Sequence, residues 1–239
     1  HRTAKRLLDE GRIGKLLNVH YYDGNRGPVM HKMDKIEVTD PEELLREKQN
    51  AWFYKREHAG GSLQDYLGYG TTLATWYHGG KRPTEVLCMA DRLDGLAVDE
   101  HSVTIARYDV GLSKFETRWG TFSDPWTHQP QPKCGFVLCG EAGTISSYDF
   151  EPTVRLQTHA HPEGEAIPVD SLIHPHTDGI AYFLDCIEND RSIEGPLSPA
   201  IARIGQEIVD AAAKSAATGR AVSLDPPASL RVYDQTDSA

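Results

Sequence analysis

A run of short, strand-like segments between residues 84 and 169 constrains the fold of this 239-residue chain more than any other feature. The segments are rich in β-branched and aromatic residues, and turns such as 109–113 and 140–143 separate them at distances typical of β-hairpins. They cover residues 85–93, 102–110, 114–121, 135–139, 144–150 and 154–159. The pattern predicts a meandering, mostly antiparallel sheet.

Helical patterns lie outside this run instead of alternating with its strands. They cover residues 1–10, 42–48, 62–78, 177–188 and 199–217, while 15–23 and 221–224 have the pattern of a first and a last strand. This grouping favours an α+β fold, an open sheet with helices packed on one face, over a doubly wound parallel sheet. We expect one domain over residues 1–224 and a loose tail over 225–239, where prolines and acidic residues show no periodicity.

The net charge of the chain restricts its possible binding partners, and its cysteines indicate its cellular compartment. The formal net charge is −10 and no basic stripe compensates for it, which opposes binding to nucleic acid or to an anionic membrane. No segment approaches the length of a membrane span. Four cysteines without CxxC spacing indicate reduced thiols in a cytoplasmic protein, although a pairing of Cys134 with Cys139 stays open.

The segment AGGSLQDYLGYGTTLATWYH, residues 59–78, carries the most informative helical pattern. Ser62 is placed to be the N-cap, and an apolar stripe fit to pack on the sheet is formed by Leu63, Leu67, Gly70, Ala74 and Tyr77. A second stripe, nearly opposite, holds Asp65, Tyr69, Thr72 and Trp76. Asp65 and Tyr69 are four residues apart and share a helix face. On spacing alone this face is either a solvated surface or the wall of a cleft.

Other chemical signals in the sequence are weaker. Asn50, Trp52 and Tyr54 precede the Gly60-Gly61 pair and suit either sugar stacking or a small core beneath a loop. The pairs His159/His161 and His174/His176 lack the further ligands of a metal site, so we expect no metal. The only GxG, at Gly68 and Gly70, lies inside the helical pattern and is not a dinucleotide fingerprint.

Four blocks of the sequence resemble segments of a known protein family, and they occur in the same order as in that family. They read LLDEGRIGKLLNVHYY, AGGSLQDYLGYG, CGEAGTIS and EGPLSPAIARIGQEIVDAAAKSAATGRAVSL. Over residues 2–224 the chain is similar to the C-terminal domain of the Gfo/Idh/MocA oxidoreductases. The resemblance implies a two-domain enzyme in which a Rossmann domain binds NAD or NADP and an open-sheet domain binds a sugar, a polyol or a related alcohol.

The family's motif in this domain is GGG, then an aspartate, then a histidine four residues later. Asp65 matches the aspartate, Tyr69 stands at the histidine position and Ala59 at the first glycine. Tyrosine here resembles the glucose-fructose oxidoreductase and dihydrodiol dehydrogenase branches. The family also uses a lysine from an EKP motif in the Rossmann domain. This chain has no EKP, and its nearest string, Glu47-Lys48-Gln49, lies in a predicted helix.

Two functional hypotheses follow from these observations. In the first, the chain is the substrate-binding and oligomerisation domain of an NAD(P)-dependent oxidoreductase, forming a homodimer or homotetramer through its sheet. The Rossmann domain and its cofactor are then missing from the chain, which we expect to be inactive alone. In the second, the chain is a non-catalytic binding or assembly module that uses the sheet as a dimer surface.

The first hypothesis assigns roles to individual residues. Oxidation of a carbinol requires a group that takes the hydroxyl proton, and a phenol with a pKa of about 10 needs a nearby cation for that task. Asp65 would orient the substrate hydroxyl, and Tyr69 would relay or donate the proton. Further substrate contacts are expected from loop and motif residues, namely Asn25, Arg26, Asn50, Trp52, Gly60, Gly61 and Thr72.

Overall fold

A computed structural model describes residues 1–30 and 40–224 of the chain. The predicted loose tail, 225–239, lies outside the described residues. The helices are α1 (Arg2–Asp9), α2 (Pro41–Asn50), α3 (Ser62–Tyr77), α4 (Gly179–Glu188) and α5 (Pro199–Thr218). The strands are β1 (Leu16–Asn25), β2 (Glu85–Asp91), β3 (His101–Arg107), β4 (Leu112–Trp119), β5 (Gly135–Gly140), β6 (Gly143–Tyr148), β7 (Thr153–Thr158), β8 (Glu165–Pro168) and β9 (Val222–Ser223).

The nine strands form a single open sheet in the order β8-β7-β6-β5-β1-β4-β3-β2-β9. Neighbouring strands are antiparallel except for β1 and β4, which pair in parallel. The predicted α+β fold with a mostly antiparallel sheet is therefore confirmed. The sequence pattern missed β8, a four-residue strand with no buried side chain and hence no apolar alternation.

The core lies between one face of the sheet and the helices α1, α3 and α5. Along α3 the predicted apolar stripe is buried, and Gly70 allows the helix to lie directly on β1. A Cβ added at Gly70 would lie 2.3 Å from the Cδ1 atom of Tyr21. The Tyr21 ring in turn packs against Phe136 of β5 and Phe115 of β4, with centroids 4.8 and 6.4 Å away.

A smaller core lies beneath α2 and contains Val29, Tyr54, Leu96, Val98 and Trp119. The loop-core alternative therefore holds for Tyr54, which is only 2% exposed and donates a hydrogen bond to Glu100 Oε1 at 2.9 Å. Helix α2 is joined to the same carboxylate, because Lys48 Nζ lies 2.7 Å from Glu100 Oε1.

Helix α4 packs differently from the other long helices. The apolar side chains that its periodicity places on one face, Ile180, Phe183, Leu184 and Ile187, are exposed. The helix instead buries Tyr182 and Cys186. Asp178 caps its first turn by accepting a hydrogen bond from the Ala181 amide at 2.8 Å.

The second face of the sheet, hereafter the open face, carries the alternate residues of each strand. It includes the exposed apolar side chains of Leu87, Met89 and Ile105 together with Lys114 and Glu116. All four cysteines are free thiols, so the Cys134–Cys139 pairing is excluded. Within the described residues, no helix is both long and apolar enough to cross a bilayer.

Candidate functional site

The first turn of α3 is held by an aspartate from a distant loop. The N-cap position is Gly61 rather than the predicted Ser62, which is already the first helical residue. Asp99 Oδ2 accepts hydrogen bonds from the Leu63 amide at 2.9 Å and from the Ser62 hydroxyl at 2.7 Å. Burial raises the pKa of Asp99, and these two hydrogen bonds oppose the shift. An anionic acceptor at a helix N-terminus satisfies amides that have no partner within the helix.

The Gly60-Gly61 pair allows the chain to pass close to its surroundings. A Cβ at Gly60 would lie 2.1 Å from the Phe53 carbonyl oxygen, and one at Gly61 would lie 2.4 Å from Asp99 Oδ1. Gly61 also has a φ of 111°, which side chains rarely adopt. These glycines therefore explain how α3 is positioned against the segment that carries Phe53 and against Asp99.

Asp65 and Tyr69 extend from the first half of α3 as the sequence predicts. Asp65 is exposed on one side and desolvated on the other, and this desolvation raises its pKa, while the indole N–H of Trp119 lowers it. That N–H is buried and makes no hydrogen bond of normal geometry within the described part of the chain. Tyr69 is 61% exposed, and its ring centroid lies 6.3 Å from that of Tyr66.

Beneath these residues lie polar side chains from the end of β1. The Tyr21 hydroxyl donates a hydrogen bond of 2.7 Å to Asp23 Oδ2. Burial raises the pKa of Asp23 to about 6, and the hydrogen bond from Tyr21 offsets part of the shift. Burial also raises the pKa of Tyr66, against a hydrogen bond with Asn25.

Asp23 and Tyr66 were not among the residues singled out from the sequence. The signal that could have found Asp23 is the alternation of Tyr21, Asp23 and Asn25, which places all three on one face at the end of a strand. Tyr66 follows Asp65 directly and is three residues from Tyr69, so it projects beside both.

The remaining candidate residues occupy different environments. Asn25 is 8% exposed, and its side-chain oxygen accepts a hydrogen bond from the Gly27 amide at 2.7 Å. Arg26 lines a cavity at one end of the sheet. Trp52 is 58% exposed and stacks on Phe53, with centroids 3.7 Å apart, while Asn50 ends α2 and is exposed.

Thr72 and Trp76 do not point away from the packed side of α3, contrary to the stripe pattern. A Cβ at Gly205 of α5 would lie 2.4 Å from Thr72 Oγ1, so Thr72 is part of the contact between the two helices. Trp76 packs against the main core. Helix α5 covers a wider part of α3 than one stripe, which explains the difference.

The described residues do not fit a dinucleotide or a resident metal. Gly68 and Gly70 lie within α3, and Gly70 contacts Tyr21, so neither is part of a phosphate-binding turn. Lys48 lies in α2 and is paired with Glu100. Within the described residues, Tyr69 makes no hydrogen bond or ion pair, and no three His, Cys, Asp or Glu side chains form a group that could hold a metal.

The open sheet with a buried helix across its central strands also occurs in solved oxidoreductases. An oxidoreductase from Agrobacterium radiobacter, in complex with NAD+, L-tartaric acid and magnesium, has 14% identity, a TM-score of 0.64, and coverage of 93% of this chain and 60% of its own. The aldose-aldose oxidoreductase from Caulobacter crescentus, complexed with glycerol, has 18% identity, a TM-score of 0.67, and coverage of 92% of this chain and 59% of its own. Levoglucosan dehydrogenase, in complex with NADH and levoglucosan, has 17% identity, a TM-score of 0.65, and coverage of 93% of this chain and 62% of its own.

A match of the sequence to a family model shows to which protein family the chain belongs. The model of the GFO/IDH/MocA C-terminal domain matches residues 1–146, more than half of the chain, and the chain therefore belongs to this family. It spans about three fifths of the length of the solved oxidoreductases described above. A search of curated protein sequences found no match.

Proposed function

We propose that this chain is the substrate-binding and oligomerisation domain of an NAD(P)-dependent oxidoreductase that oxidises a CH–OH group of a sugar, a polyol or a related alcohol. One observation carries the proposal: Asp65 and Tyr69 lie on the first half of α3, beside polar side chains at the end of the central strand β1. Membership of the GFO/IDH/MocA family supports it.

The nicotinamide cofactor belongs, in this proposal, to a domain outside the chain, since the described residues do not fit it. The complexes of similar structures with NAD+ and with NADH support a nicotinamide. Glycerol and levoglucosan in two of them support a polyol or sugar substrate. The four free thiols support a cytoplasmic location.

The residues of this chain have separate tasks in the reaction. The desolvated carboxylate of Asp65 accepts a hydrogen bond from the substrate hydroxyl and fixes its direction. Tyr69, as a phenolate, would receive the hydroxyl proton, and a nicotinamide held outside the described residues would supply the hydride acceptor. A cation from outside the described residues is needed beside Tyr69, because a phenol is a weak base near neutral pH. Asp23 lies close enough to Tyr66 to raise the pKa of that phenol.

The open face supports the oligomerisation part of the proposal. Leu87 of β2 and Ile105 of β3 are paired and exposed, and Met89 is exposed two residues further along β2 on the same face. A self-complementary patch of this kind is suited to a two-fold interface, giving a homodimer or homotetramer. A non-catalytic assembly module would use the same face, so only the activity of the complete protein separates the two functions.

The direct test uses the complete reading frame of the source gene. The full protein is assayed for oxidation of sugars and polyols with NAD+ and with NADP+. We expect turnover with one or both cofactors, and Tyr69→Phe is expected to lower kcat by about 100-fold or more, because the proton relay is lost. Tyr148→Phe, which removes a phenol from β6 on the open face, is the matched control and should retain activity.

Two results would contradict the proposal. Unchanged turnover of Tyr69→Phe would remove the catalytic role of that residue. Tight binding of NADH or NADPH by the 239-residue chain alone, followed by fluorescence, would show that the cofactor site lies within it.

A further inference from the structure

A second concave site lies at one end of the sheet, with part of its lining on the open face. It is a cavity of about 410 Å³ at the ends of β2, β3 and β4, and α2 forms one of its walls. Its lining includes Arg26, Leu44, Lys48, Asp91, Arg118 and Phe122. The volume falls within the range of pockets that bind small molecules. Neither Asp65 nor Tyr69 lines it, but it adjoins the candidate site described above, because Arg26 and Trp119, whose indole N–H lies beside Asp65, are among its lining residues.

The floor of the cavity is a polar row across three strands. Asp91 pairs with His101 in the sheet register, and His101 pairs with Arg118, so the three side chains share the open face. The His101 ring is held by Glu116, with Nε2 3.2 Å from Oε1. Arg118 is exposed and makes no hydrogen bond or ion pair within the described residues. Its guanidinium therefore offers several unused donors to a ligand.

One wall of the cavity is fixed by a buried polar network. Glu100 is 8% exposed, and its Oε1 atom accepts hydrogen bonds from Lys48 Nζ at 2.7 Å and from the Tyr54 hydroxyl at 2.9 Å. A carboxylate satisfied by both a cation and a phenol ties α2 to the start of β3. The wall is thus in place before any ligand arrives, which reduces the entropy lost on binding.

The charge and the rim of the cavity define its ligand. The chain carries a net charge of −10, yet this cavity is lined by Lys48 and Arg118 as well as by two carboxylates, Asp91 and Glu100, and Lys48 already neutralises Glu100. At the rim, Phe122 is 80% exposed, an unusual position for a large apolar ring. A guanidinium next to an exposed aromatic ring suits a ligand with an anionic group and a flat apolar surface.

We propose that this cavity binds a sugar-sized organic anion, with its carboxylate or phosphate on Arg118 and the face of its ring against Phe122. The proposal does not depend on the proposed oxidoreductase function, because the binding it describes requires neither Asp65 nor Tyr69. It can therefore be tested on the 239-residue chain itself.

The binding test uses calorimetry with glucuronate, glucose 6-phosphate, inorganic phosphate and glucose. We expect at least one of the two sugar anions to bind with a Kd of about 1 mM or tighter, and glucose to bind at least about tenfold more weakly. The two sugar anions distinguish a carboxylate ligand from a phosphate ligand. Equal binding of inorganic phosphate would overturn the role of the ring, and absence of binding by both sugar anions at about 20 mM would overturn the site.

Variants locate the binding in the cavity. Arg118→Gln should weaken binding by about tenfold or more, since a charge-assisted hydrogen bond is lost. Phe122→Ala should also weaken it, and both variants should keep the unfolding midpoint of the parent. Arg107→Gln is the matched control, because this exposed arginine lies on β3 outside the cavity and pairs with Glu85. An equal loss in Arg107→Gln would show nonspecific binding and overturn the proposal.

Because the cavity lies partly on the face proposed as the oligomer interface, one further measurement tests whether a second copy of the chain fills it. If a second copy of the chain filled the cavity, Arg118→Gln would change the sedimentation of the protein and sugar anions would not bind. That combination also overturns the proposal. Saturation-transfer NMR signals from the ring protons of the sugar, lost in Phe122→Ala, would support it.

Discussion

At the scale of single residues, Asp23 is the clearest case of a side chain whose burial disfavours its charged form. Its carboxyl is buried at the end of β1, with the Tyr21 hydroxyl as its hydrogen-bond donor, and its pKa is raised from 3.8 to about 6. Between these two pH values the folded state binds more protons than the unfolded state. The free energy of unfolding therefore falls as the pH rises through this window, and the loss is complete above it.

This linkage makes Asp23→Asn a stabilising change at neutral pH. The amide carries no charge and can still accept the hydrogen bond from Tyr21. We expect the variant to be more stable than the parent by about 1–3 kcal/mol at pH 7.5, with the difference vanishing near pH 4. Urea denaturation at both pH values measures it, with exposed Asp94→Asn as the control. A difference that does not change with pH would contradict the assignment.

At the scale of elements, two glycines of α3 distinguish the effect of helix propensity on stability from the effect of packing. Gly68 has nothing within 4 Å of an added Cβ, whereas Gly70 lies against the Tyr21 ring. Alanine is favoured over glycine by about 1 kcal/mol at both helical positions. At Gly70 the overlap with Tyr21 outweighs this gain, because the ring is wedged between Phe115 and Phe136.

We expect Gly68→Ala to stabilise the chain by up to about 1 kcal/mol and Gly70→Ala to destabilise it by about 1–3 kcal/mol. Equilibrium denaturation of the two variants under one condition measures both effects. If Gly70→Ala were as stable as Gly68→Ala, α3 would not lie as close to β1 as the structure shows.

Local patterns explain which elements could be predicted from the sequence. The strands from β2 to β7 have alternating side chains, short turns join β3 to β4 and β5 to β6, and α3 has an apolar face, so each of these elements is specified by its own residues. The pairing of β1 with β4 is not, since it joins residues about ninety positions apart. The same limit applies to Asp99, which caps a helix from a distant loop and so leaves no mark near Ser62.

The candidate site was predictable to a similar extent. Asp65 and Tyr69 are four residues apart on one helix, so their common face follows from helix geometry. Asp23 and Asn25 join them only because β1 lies beneath α3, a tertiary contact that the sequence does not encode locally. For Thr72, the spacing indicated either a solvated surface or a cleft, whereas the packing of α5 places it between two helices.

At the scale of the whole molecule, the open face determines the expected assembly. We expect the chain to sediment as a dimer or tetramer at micromolar concentration and Met89→Lys to weaken association by about tenfold or more, because a charge would be buried in the interface. Ile180→Lys on α4 is the matched control, since Ile180 is also largely exposed but lies away from the sheet. A monomeric parent protein, or an equal effect of both variants, would contradict this interface.

The position of β1 has a consequence for synthesis on the ribosome. This strand lies in the middle of the sheet, yet both of its partners, β4 and β5, are translated much later. At typical elongation rates the strand waits on the order of ten seconds for them. During that time its apolar residues are without their final neighbours, so a nascent-chain chaperone would have its clearest target in the segment around Val19 and Tyr21.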